Sequence, residues 1–329
     1  MPELLPPMLL ATIAILAGFA GLIWSADRFV AGSAAIAKSL GAAPLIIGLT
    51  IVSFGTSAPE VMVSLNASFK GEGGLAIGNA LGSNIANMGL VLGITTLLAA
   101  IPVQRHLLSQ EIPVLLIASL VGGVFLFDNQ LQRWEGVTLL LILLPAIGFL
   151  IVVKRKSPAS AEVSAEGEVD NLGTRPAILW FCIGLIALII SSDILVWGAK
   201  TYAEFFGVSS LIIGLTVIAV GTSLPELAAS AISALKGHHD IALGNIVGSN
   251  MFNLLAVMSI PGAVAPLALE SQVFERDFFT MFAITLLLCG LVIIALRSKQ
   301  PQKRRLGKVS GVLLLSCYIA YYIKLFIDT

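Results

Sequence analysis

The stretch "GLTIVSFGTSAPE", residues 48–60, places a proline and a glutamate inside a run that is otherwise apolar enough for a membrane helix. Pro59 cannot donate a hydrogen bond to the carbonyl of Gly55, four residues back. Inside a bilayer, such a freed carbonyl is tolerated only where it is buried in protein or lines a cavity. An ionisable residue within a membrane helix marks a candidate functional site, because its burial is costly. The stretch therefore predicts a broken helix that presents Glu60 to a polar cavity.

The same pattern occurs a second time, as "GLTVIAVGTSLPE" at residues 214–226. Residues 44–94 align with 210–260 at a constant offset of 166, with 23 identities in 51 positions and no gap. The match extends upstream, where "SADRFVAG" at 25–32 corresponds to "SSDILVWG" at 191–198. The chain therefore contains two copies of one unit.

Composition places both copies in a membrane. Hydrophobic residues make up 57% of the 329 positions, charged residues only 12%, and the mean hydropathy is +0.97, whereas about a quarter of a soluble chain is charged. Alternating strands of the kind that build a membrane barrel are not apparent. Since a helix needs about 20 apolar residues to cross a bilayer, we predict an all-α polytopic protein with ten transmembrane helices, at 7–24, 44–68, 75–98, 109–127, 135–153, 177–202, 210–235, 241–263, 277–296 and 309–327.

The repeat divides these helices into two groups of five. Because five is odd, the second copy enters the membrane upside down relative to the first, which is the inverted-repeat architecture of secondary transporters with a site near the midplane. We expect a first repeat at 1–153, with its motif at 44–94, and a second at 177–329, with its motif at 210–260. Residues 154–176 are rich in charged and small residues and are expected to form a cytoplasmic linker loop.

Basic residues predict the orientation. With the N-terminus outside, thirteen Lys and Arg fall in inner loops and four in outer ones, which agrees with the positive-inside rule. We therefore expect a multi-pass protein of the plasma membrane (the inner membrane of a bacterium or archaeon) with both termini outside. The lipid bilayer is its expected partner. The sequence indicates no nucleic acid, no obligate protein partner and no cofactor.

The residues beside each proline suit a hard cation. Thr56 and Glu60 share a helix face, as do Thr222 and Glu226, so hydroxyls, freed carbonyls and carboxylates supply oxygen ligands of the kind that Ca²⁺ or Na⁺ binds. Single Ser or Asn residues in membrane helices usually mediate packing, but two glutamates at repeat-equivalent positions favour a functional site. Polar residues at four-residue spacing continue along the following helices, as Asn79, Ser83 and Asn87 in one and Asn245, Ser249 and Asn253 in its repeat.

Asp27 and Asp193 also repeat, near the predicted end of the first helix of each unit. They either take part in function or only fix the geometry of that helix end. The three cysteines, Cys182, Cys289 and Cys317, fall within predicted spans and are expected to be small packing residues without a disulfide.

"GTSAPE" with "GNALGSNIAN", and "GTSLPE" with "GNIVGSNMFN", resemble the two α-repeats of the cation/Ca²⁺ exchanger superfamily, most closely its prokaryotic sodium/calcium exchanger branch. The resemblance spans nearly the whole chain and implies ten helices with the N-terminus outside. It also implies alternating access, by sliding of the first and sixth helices across the rest of the bundle. Gly32 and Gly198 would suit close, mobile contact of those helices, and simple packing explains them equally well.

The resemblance assigns roles to individual residues. It implies Ca²⁺ coordination by Glu60 and Glu226 with backbone oxygens at Thr56 and Thr222. Asn87 matches a central polar position, whereas Asn253 stands where several relatives carry aspartate, which leaves two central carboxylates and puts the stoichiometry in question. The Na⁺ ligands implied by the resemblance are Ser57, Ser83, Ser223 and Ser249.

The expected function is secondary active antiport of Ca²⁺ for Na⁺, with electrogenic Ca²⁺ extrusion. Ca²⁺/H⁺ antiport is the alternative within the same class, because two carboxylates could exchange one Ca²⁺ for two protons. A cation channel with an oxygen-lined filter is an alternative of a different class, which the inverted repeat disfavours. No catalytic residues are assigned, since the chain has no Ser/His or paired-Asp arrangement and no metal motif of the kind an intramembrane enzyme needs.

Overall fold

The chain folds as a bundle of membrane helices in the computed structural model, which describes residues 5–155, 173–207, 217 and 219–328. Within those ranges, eight helices are long and apolar enough to cross a bilayer, and one pair bent by 44° makes a ninth span. The expected tenth, 210–235, lies partly outside the described residues. Its described part contains two helical segments. The helical membrane fold is confirmed, and the count of ten helices stays a prediction.

Twelve helices follow one another along the described residues. They are α1 (Leu5–Leu40), α2 (Pro44–Thr56), α3 (Ala58–Phe69), α4 (Gly73–Leu98), α5 (Leu107–Leu126), α6 (Arg133–Arg155), α7 (Thr174–Phe205), α8 (Ala219–Thr222), α9 (Leu224–Leu235), α10 (His239–Val264), α11 (Val273–Leu296) and α12 (Lys308–Asp328). Four two-residue strands lie between them: β1 (Ile101–Pro102), β2 (Gln130–Leu131), β3 (Leu267–Ala268) and β4 (Arg305–Leu306).

Most predicted spans match these helices within a few residues, and the first span is the exception. It was expected at 7–24, whereas α1 continues to Leu40. Asp27 therefore lies well inside a helix, and the expectation that it marks the helix end is wrong. The helix tolerates polar residues there because Asp27 forms an ion pair with Lys236 and Arg28 lies over the ring of Trp180 of α7.

The two halves share their element lengths at the offset seen in the sequence. The helices α3 and α9, which carry the two glutamates, each have 12 residues. The regular first parts of α4 and α10 each have 14 residues. Each is followed by a five-residue π-helical segment, Asn87–Val91 in one half and Asn253–Val257 in the other. Most of the linker expected at 154–176 lies outside the described residues; at its edges, α6 ends at Arg155 and α7 begins at Thr174.

The helices α4 and α10, which carry the polar residues at four-residue spacing, form the centre of the bundle. Their most apolar windows are 72% and 94% buried, against 22–44% for the other spans. Backbone contact brings α2 onto α10, since a Cβ added at Gly48 would lie 2.7 Å from the carbonyl oxygen of Ile241, and one at Gly244 would lie 2.7 Å from that of Leu45. The first part of the broken span, α2, therefore lies directly against the central helix of the other half.

Two short antiparallel ladders join the halves. β1 pairs with β4, and β2 pairs with β3. Since α5 crosses the membrane between β1 and β2, the two ladders lie at opposite faces of the bundle. Neither ladder includes α1 or α7.

The long helices α1 and α7 pack against each other through small residues. A Cβ at Gly32 would lie 2.5 Å from the backbone nitrogen of Phe181, and one at Gly198 would lie 2.7 Å from the carbonyl oxygen of Ala11. A Cβ at Gly184 would similarly lie 2.5 Å from the nitrogen of Phe29. The two backbones therefore lie close together along much of their length, and the expected sliding of these helices stays a prediction.

Candidate functional site

Each glutamate lies just past a helix break. Between α2 and α3, Ser57 leaves the helical conformation with φ −84° and ψ 6°. Its equivalent between α8 and α9, Ser223, does so with φ −89° and ψ 2°. A proline then occupies the first turn of the new helix in both halves, where its missing N–H leaves no helical hydrogen bond unmade. The break places Glu60 and Glu226 in the first turns of α3 and α9, where the positive end of the helix dipole favours a negative charge.

Both glutamate side chains are completely buried. The Ser57 hydroxyl donates to Oε1 of Glu226 at 3.1 Å, a contact between the two halves. Oε2 of Glu226 and both carboxylate oxygens of Glu60 accept no hydrogen bond from the described residues. A buried carboxylate in this condition is very unfavourable unless it binds a cation or a proton. The pair can therefore serve as the negative centre of a cation site.

Two asparagines fix the backbone at the breaks. Asn79 Nδ2 donates to the backbone oxygen of Glu60 at 3.0 Å. Its equivalent, Asn245, donates to the backbone oxygen of Glu226 at 3.4 Å and to the Ser230 hydroxyl at 2.9 Å. The central helices α4 and α10 thus position the carboxylates of α3 and α9. These asparagines belong to the polar stripes seen in the sequence, which gave no indication of their backbone partners.

The threonines differ between the halves. Thr56 is fully buried and its hydroxyl donates to Oδ1 of Asn245 at 3.0 Å, so the first break contacts the second half. Thr222 is half-buried at the end of α8. The structure therefore brings Thr56 and Glu60 into one buried cluster with Glu226, and leaves Thr222 at its edge.

The remaining predicted site residues line the same region. Ser83 lies beside Glu60, and Ser249 beside Glu226. All are at most 4% exposed. The hydroxyls of Ser223 and Ser249 and both amide atoms of Asn87 and Asn253 have no hydrogen-bond partner among the described residues. Both asparagines stand at the first residue of a π-helical segment, a feature that is frequent at functional sites. The candidate site residues therefore include several buried oxygens that no described residue occupies.

Three further polar contacts support this centre and were not singled out from the sequence. Ser64 Oγ donates to the backbone oxygen of Val257, at 2.9 Å, and Asn84 Nδ2 to that of Asn250, at 3.3 Å, both across the halves. Ser192 of α7 donates to the backbone oxygen of Gly221, the carbonyl that Pro225 frees, at 2.8 Å. Identity between the repeats could have indicated Ser64 and Asn84. Ser192 has no such signal, because its equivalent is Ala26.

The ligand atoms of this site are oxygens. Among the described residues, no group of three or more His, Cys, Asp or Glu could hold a metal ion. The cysteines lie apart, in α7, α11 and α12. Carboxylate, hydroxyl, amide and carbonyl oxygens suit Na⁺ or Ca²⁺ better than a transition metal.

Comparison with known proteins identifies the family of the chain that carries this site. The family model described as sodium/calcium exchanger protein matches residues 10–152 and 176–326, which is most of the chain and includes both breaks. The chain belongs to the sodium/calcium exchanger family. The exchanger is 45% identical to the putative antiporter CaxA of Alkalimonas amylolytica, over 97% of this chain and 99% of that protein. It is 30% identical to the sodium/calcium exchanger MaX1 of Methanosarcina acetivorans, over 95% of this chain and 97% of that one.

Solved structures agree with this assignment. The exchanger superposes on the sodium-calcium exchanger NCX_Mj, in crystals soaked with Na⁺ and Sr²⁺, with a TM-score of 0.80 and 30% sequence identity. The match covers 96% of this chain and 98% of that one. The exchanger is therefore a multi-pass membrane protein with the fold of a cation/Ca²⁺ antiporter, and its family and fold are those of transporters. The expected membership in the cation/Ca²⁺ exchanger superfamily is confirmed.

Proposed function

We propose that the exchanger moves Ca²⁺ in one direction and Na⁺ in the other, with Glu60 and Glu226 as the Ca²⁺ ligands. The observation that carries this proposal is the fully buried Glu60 carboxylate, whose two oxygens have no partner among the described residues. Glu226, its equivalent in the second half, keeps one oxygen uncommitted. Two such carboxylates together neutralise one divalent cation, whereas a structural role would leave each of them with a permanent partner.

Neighbouring oxygens complete the coordination. Backbone oxygens at Thr56 and Thr222 would join the carboxylates, because Ca²⁺ takes six to eight oxygen ligands, carbonyls among them. The Na⁺ ions would occupy flanking positions that use the serine hydroxyls near each glutamate. Asn87 and Asn253 would supply neutral amide oxygens at the centre. The proposed Na⁺ ligands are Ser57, Ser83, Ser223 and Ser249.

Transport would follow alternating access between two inverted halves, 1–153 and 177–329, joined by a cytoplasmic linker at 154–176. With both termini outside the plasma membrane, inward Na⁺ flow would drive Ca²⁺ out of the cell. Names of relatives support the choice of ions: MaX1 and NCX_Mj are both described as sodium/calcium exchangers. Ca²⁺ carried by two carboxylates makes a neutral complex, and three Na⁺ would leave one positive charge, so the exchange would be electrogenic.

Calcium uptake into everted vesicles tests the choice of co-ion. We expect uptake that requires Na⁺ inside the vesicle and that survives collapse of the pH gradient by a protonophore. Vesicles containing the double variant Glu60→Gln/Glu226→Gln are the control and should show no uptake above background. Uptake that ignores Na⁺ and follows the pH gradient would replace Na⁺/Ca²⁺ exchange with Ca²⁺/H⁺ antiport at the same site.

A further inference from the structure

An ion pair joins α1 to the turn that follows α9. Asp27 Oδ1 and Lys236 Nζ are 2.6 Å apart, and both side chains are only about one-third exposed, at 37% and 35%. Around this pair the two helices are packed closely, with Leu22 and Ala26 of α1 in one apolar cluster with Ala228 and Ile232 of α9. The contact therefore attaches α1 to α9, the glutamate-bearing helix of the second half. Since α1 packs against α7, we treat these two long helices as one outer pair.

Both partners of this ion pair have counterparts in the repeat. Asp193 of α7 is equivalent to Asp27, and Lys70, after α3, is equivalent to Lys236. Asp193 and Lys70 are exposed, and neither forms an ion pair within the described part of the chain. Around Lys70, α3 exposes Met62, the equivalent of Ala228, to 65%. One end of the molecule is thus closed against an outer helix and its equivalent is not.

The two lysines themselves are placed alike. Lys70 has φ −84° and ψ −2°, and Lys236 has φ −82° and ψ 1°. Each precedes a glycine in the left-handed region, Gly71 at φ 78° and Gly237 at φ 80°. Since the lysine backbones match, the difference between the two ends lies in the position of α1 and α7 against the rest of the bundle.

The two ends lie at opposite faces of the membrane. The helix after Lys70, α4, leads to β1, and the helix after Lys236, α10, leads to β3. Because β1 and β3 belong to the two different ladders, Lys70 and Lys236 are at opposite faces. We propose that Asp27–Lys236 and Asp193–Lys70 are alternative ion pairs, each of which holds the α1–α7 unit in one of the two access states.

This arrangement would make the four residues positioning residues for antiport. In the present structure the Lys236 end is packed against α1, and the equivalent Lys70 end is not packed against α7. Movement of α1 and α7 together would separate Asp27 from Lys236 and bring Asp193 to Lys70. Partly exposed ion pairs are individually weak, which suits a contact that must break and form again in every cycle.

Spin-label distances test the proposal without depending on which residues bind Ca²⁺. After replacement of the three native cysteines by alanine, one label pair is placed at Leu40 and Leu235 and the equivalent pair at Phe206 and Phe69, all four positions being exposed. In the alternative state, the first label pair should show the distance that the second pair shows in the present structure, and the second pair the distance of the first. Lys236→Gln should increase the population of this alternative state by about two- to fivefold. Lys70→Gln, the matched variant, should decrease the same population.

Further variants separate a switch from simple stabilisation. Asp27→Asn should reproduce the effect of Lys236→Gln, and the charge exchange Asp27→Lys/Lys236→Asp should restore the parent distribution. Side-specific Ca²⁺ KM values in vesicles of the two orientations should move in opposite directions for Lys236→Gln and Lys70→Gln. Lysine variants that shift the distances in the same direction, or not at all, would overturn the proposal, whatever their thermal stability.

Discussion

At the scale of single residues, the site depends on charge that is held without a permanent partner. Glu60 and Glu226 are fully buried, and the described residues offer them one hydrogen bond, from Ser57 to Glu226. Asn87 and Asn253, two further residues of the candidate site, are fully buried amides that add no charge. Glu60, neither of whose carboxylate oxygens accepts a hydrogen bond from the described residues, differs in this from Glu111, a fully buried carboxylate whose Oε2 lies 3.3 Å from Nδ1 of His106.

We therefore expect Glu60→Gln or Glu226→Gln to abolish Ca²⁺ exchange while the protein still inserts and folds. Each variant keeps the side-chain volume and removes one of the two charges that face Ca²⁺. Removal of one partner from a buried charge pair costs about 3 kcal/mol or more, which corresponds to a loss of Ca²⁺ affinity of about a hundredfold. Calcium binding to the purified variants measures this. Glu111→Gln is the control and should retain binding; near-parental affinity in either site variant would refute the assigned ligands.

A second residue-scale prediction concerns Asn253. Asn253→Asp adds a third carboxylate to the proposed centre and changes the volume very little. The added charge should be balanced by one additional monovalent cation or proton, so the number of ions moved per Ca²⁺ should change more than the melting temperature does. Reversal potentials of reconstituted exchange give that number. An unchanged stoichiometry in both Asn253→Asp and its equivalent Asn87→Asp would place these amides outside the transport site.

At the scale of elements, the first glutamate-bearing span is held by backbone contact between α2 and α10. A Cβ added at Gly244 in α10 would lie 2.9 Å from the Cα of Gly48 in α2. Gly244→Ala should lower the free energy of unfolding by about 1–3 kcal/mol, because its new Cβ would meet backbone atoms that cannot move aside. Gly290→Ala in α11 has open space around its Cβ and should instead raise it by about 0.5–1 kcal/mol. Thermal unfolding in detergent compares the two, and equal stability would contradict the close packing.

Sequence reasoning predicted most elements well, because apolar runs and prolines act locally. The repeat alignment located both breaks, and the predicted spans match α3 through α7 and α10 through α12 within a few residues. The first helix was predicted too short, since hydropathy falls at Asp27 and Arg28. In the structure Asp27 pairs with Lys236 and Arg28 lies over the ring of Trp180, and those partners are distant in sequence.

The candidate site was predictable as a set of residues and not as a set of contacts. An internal repeat shows which residues of the two halves are equivalent, but it does not show which residues are in contact across the halves. The hydrogen bonds from Ser57 to Glu226 and from Thr56 to Asn245 join residues of the two halves that are not equivalent in the repeat. Such pairs arise from how inverted units interlock. They leave no periodic signal in either half.

At the scale of the whole molecule, the proposed stoichiometry predicts a response to voltage. One net charge moved per cycle couples to the membrane potential at about 2.3 kcal/mol per 100 mV. With three Na⁺ leaving for each Ca²⁺ that enters, one net positive charge leaves the proteoliposome, so we expect an inside-positive potential to accelerate Na⁺-dependent Ca²⁺ uptake and an inside-negative potential to slow it. Exchange that is indifferent to voltage would contradict three Na⁺ per Ca²⁺ and favour two protons instead. Liposomes made leaky to K⁺ with valinomycin, at equal K⁺ on both sides, provide the zero-voltage control.

The ladders β1–β4 and β2–β3 divide the molecule mechanically. They join the two halves by backbone hydrogen bonds at opposite faces, and neither ladder includes α1 or α7. A pair of engineered disulfides placed across the ladders should then leave turnover intact, whereas one that ties α1 to α9 should arrest it. If α1 and α7 slide as proposed, the joined halves would act as a stator and the two long helices as the moving part, and the elastic work of each cycle would be confined to the surface between them.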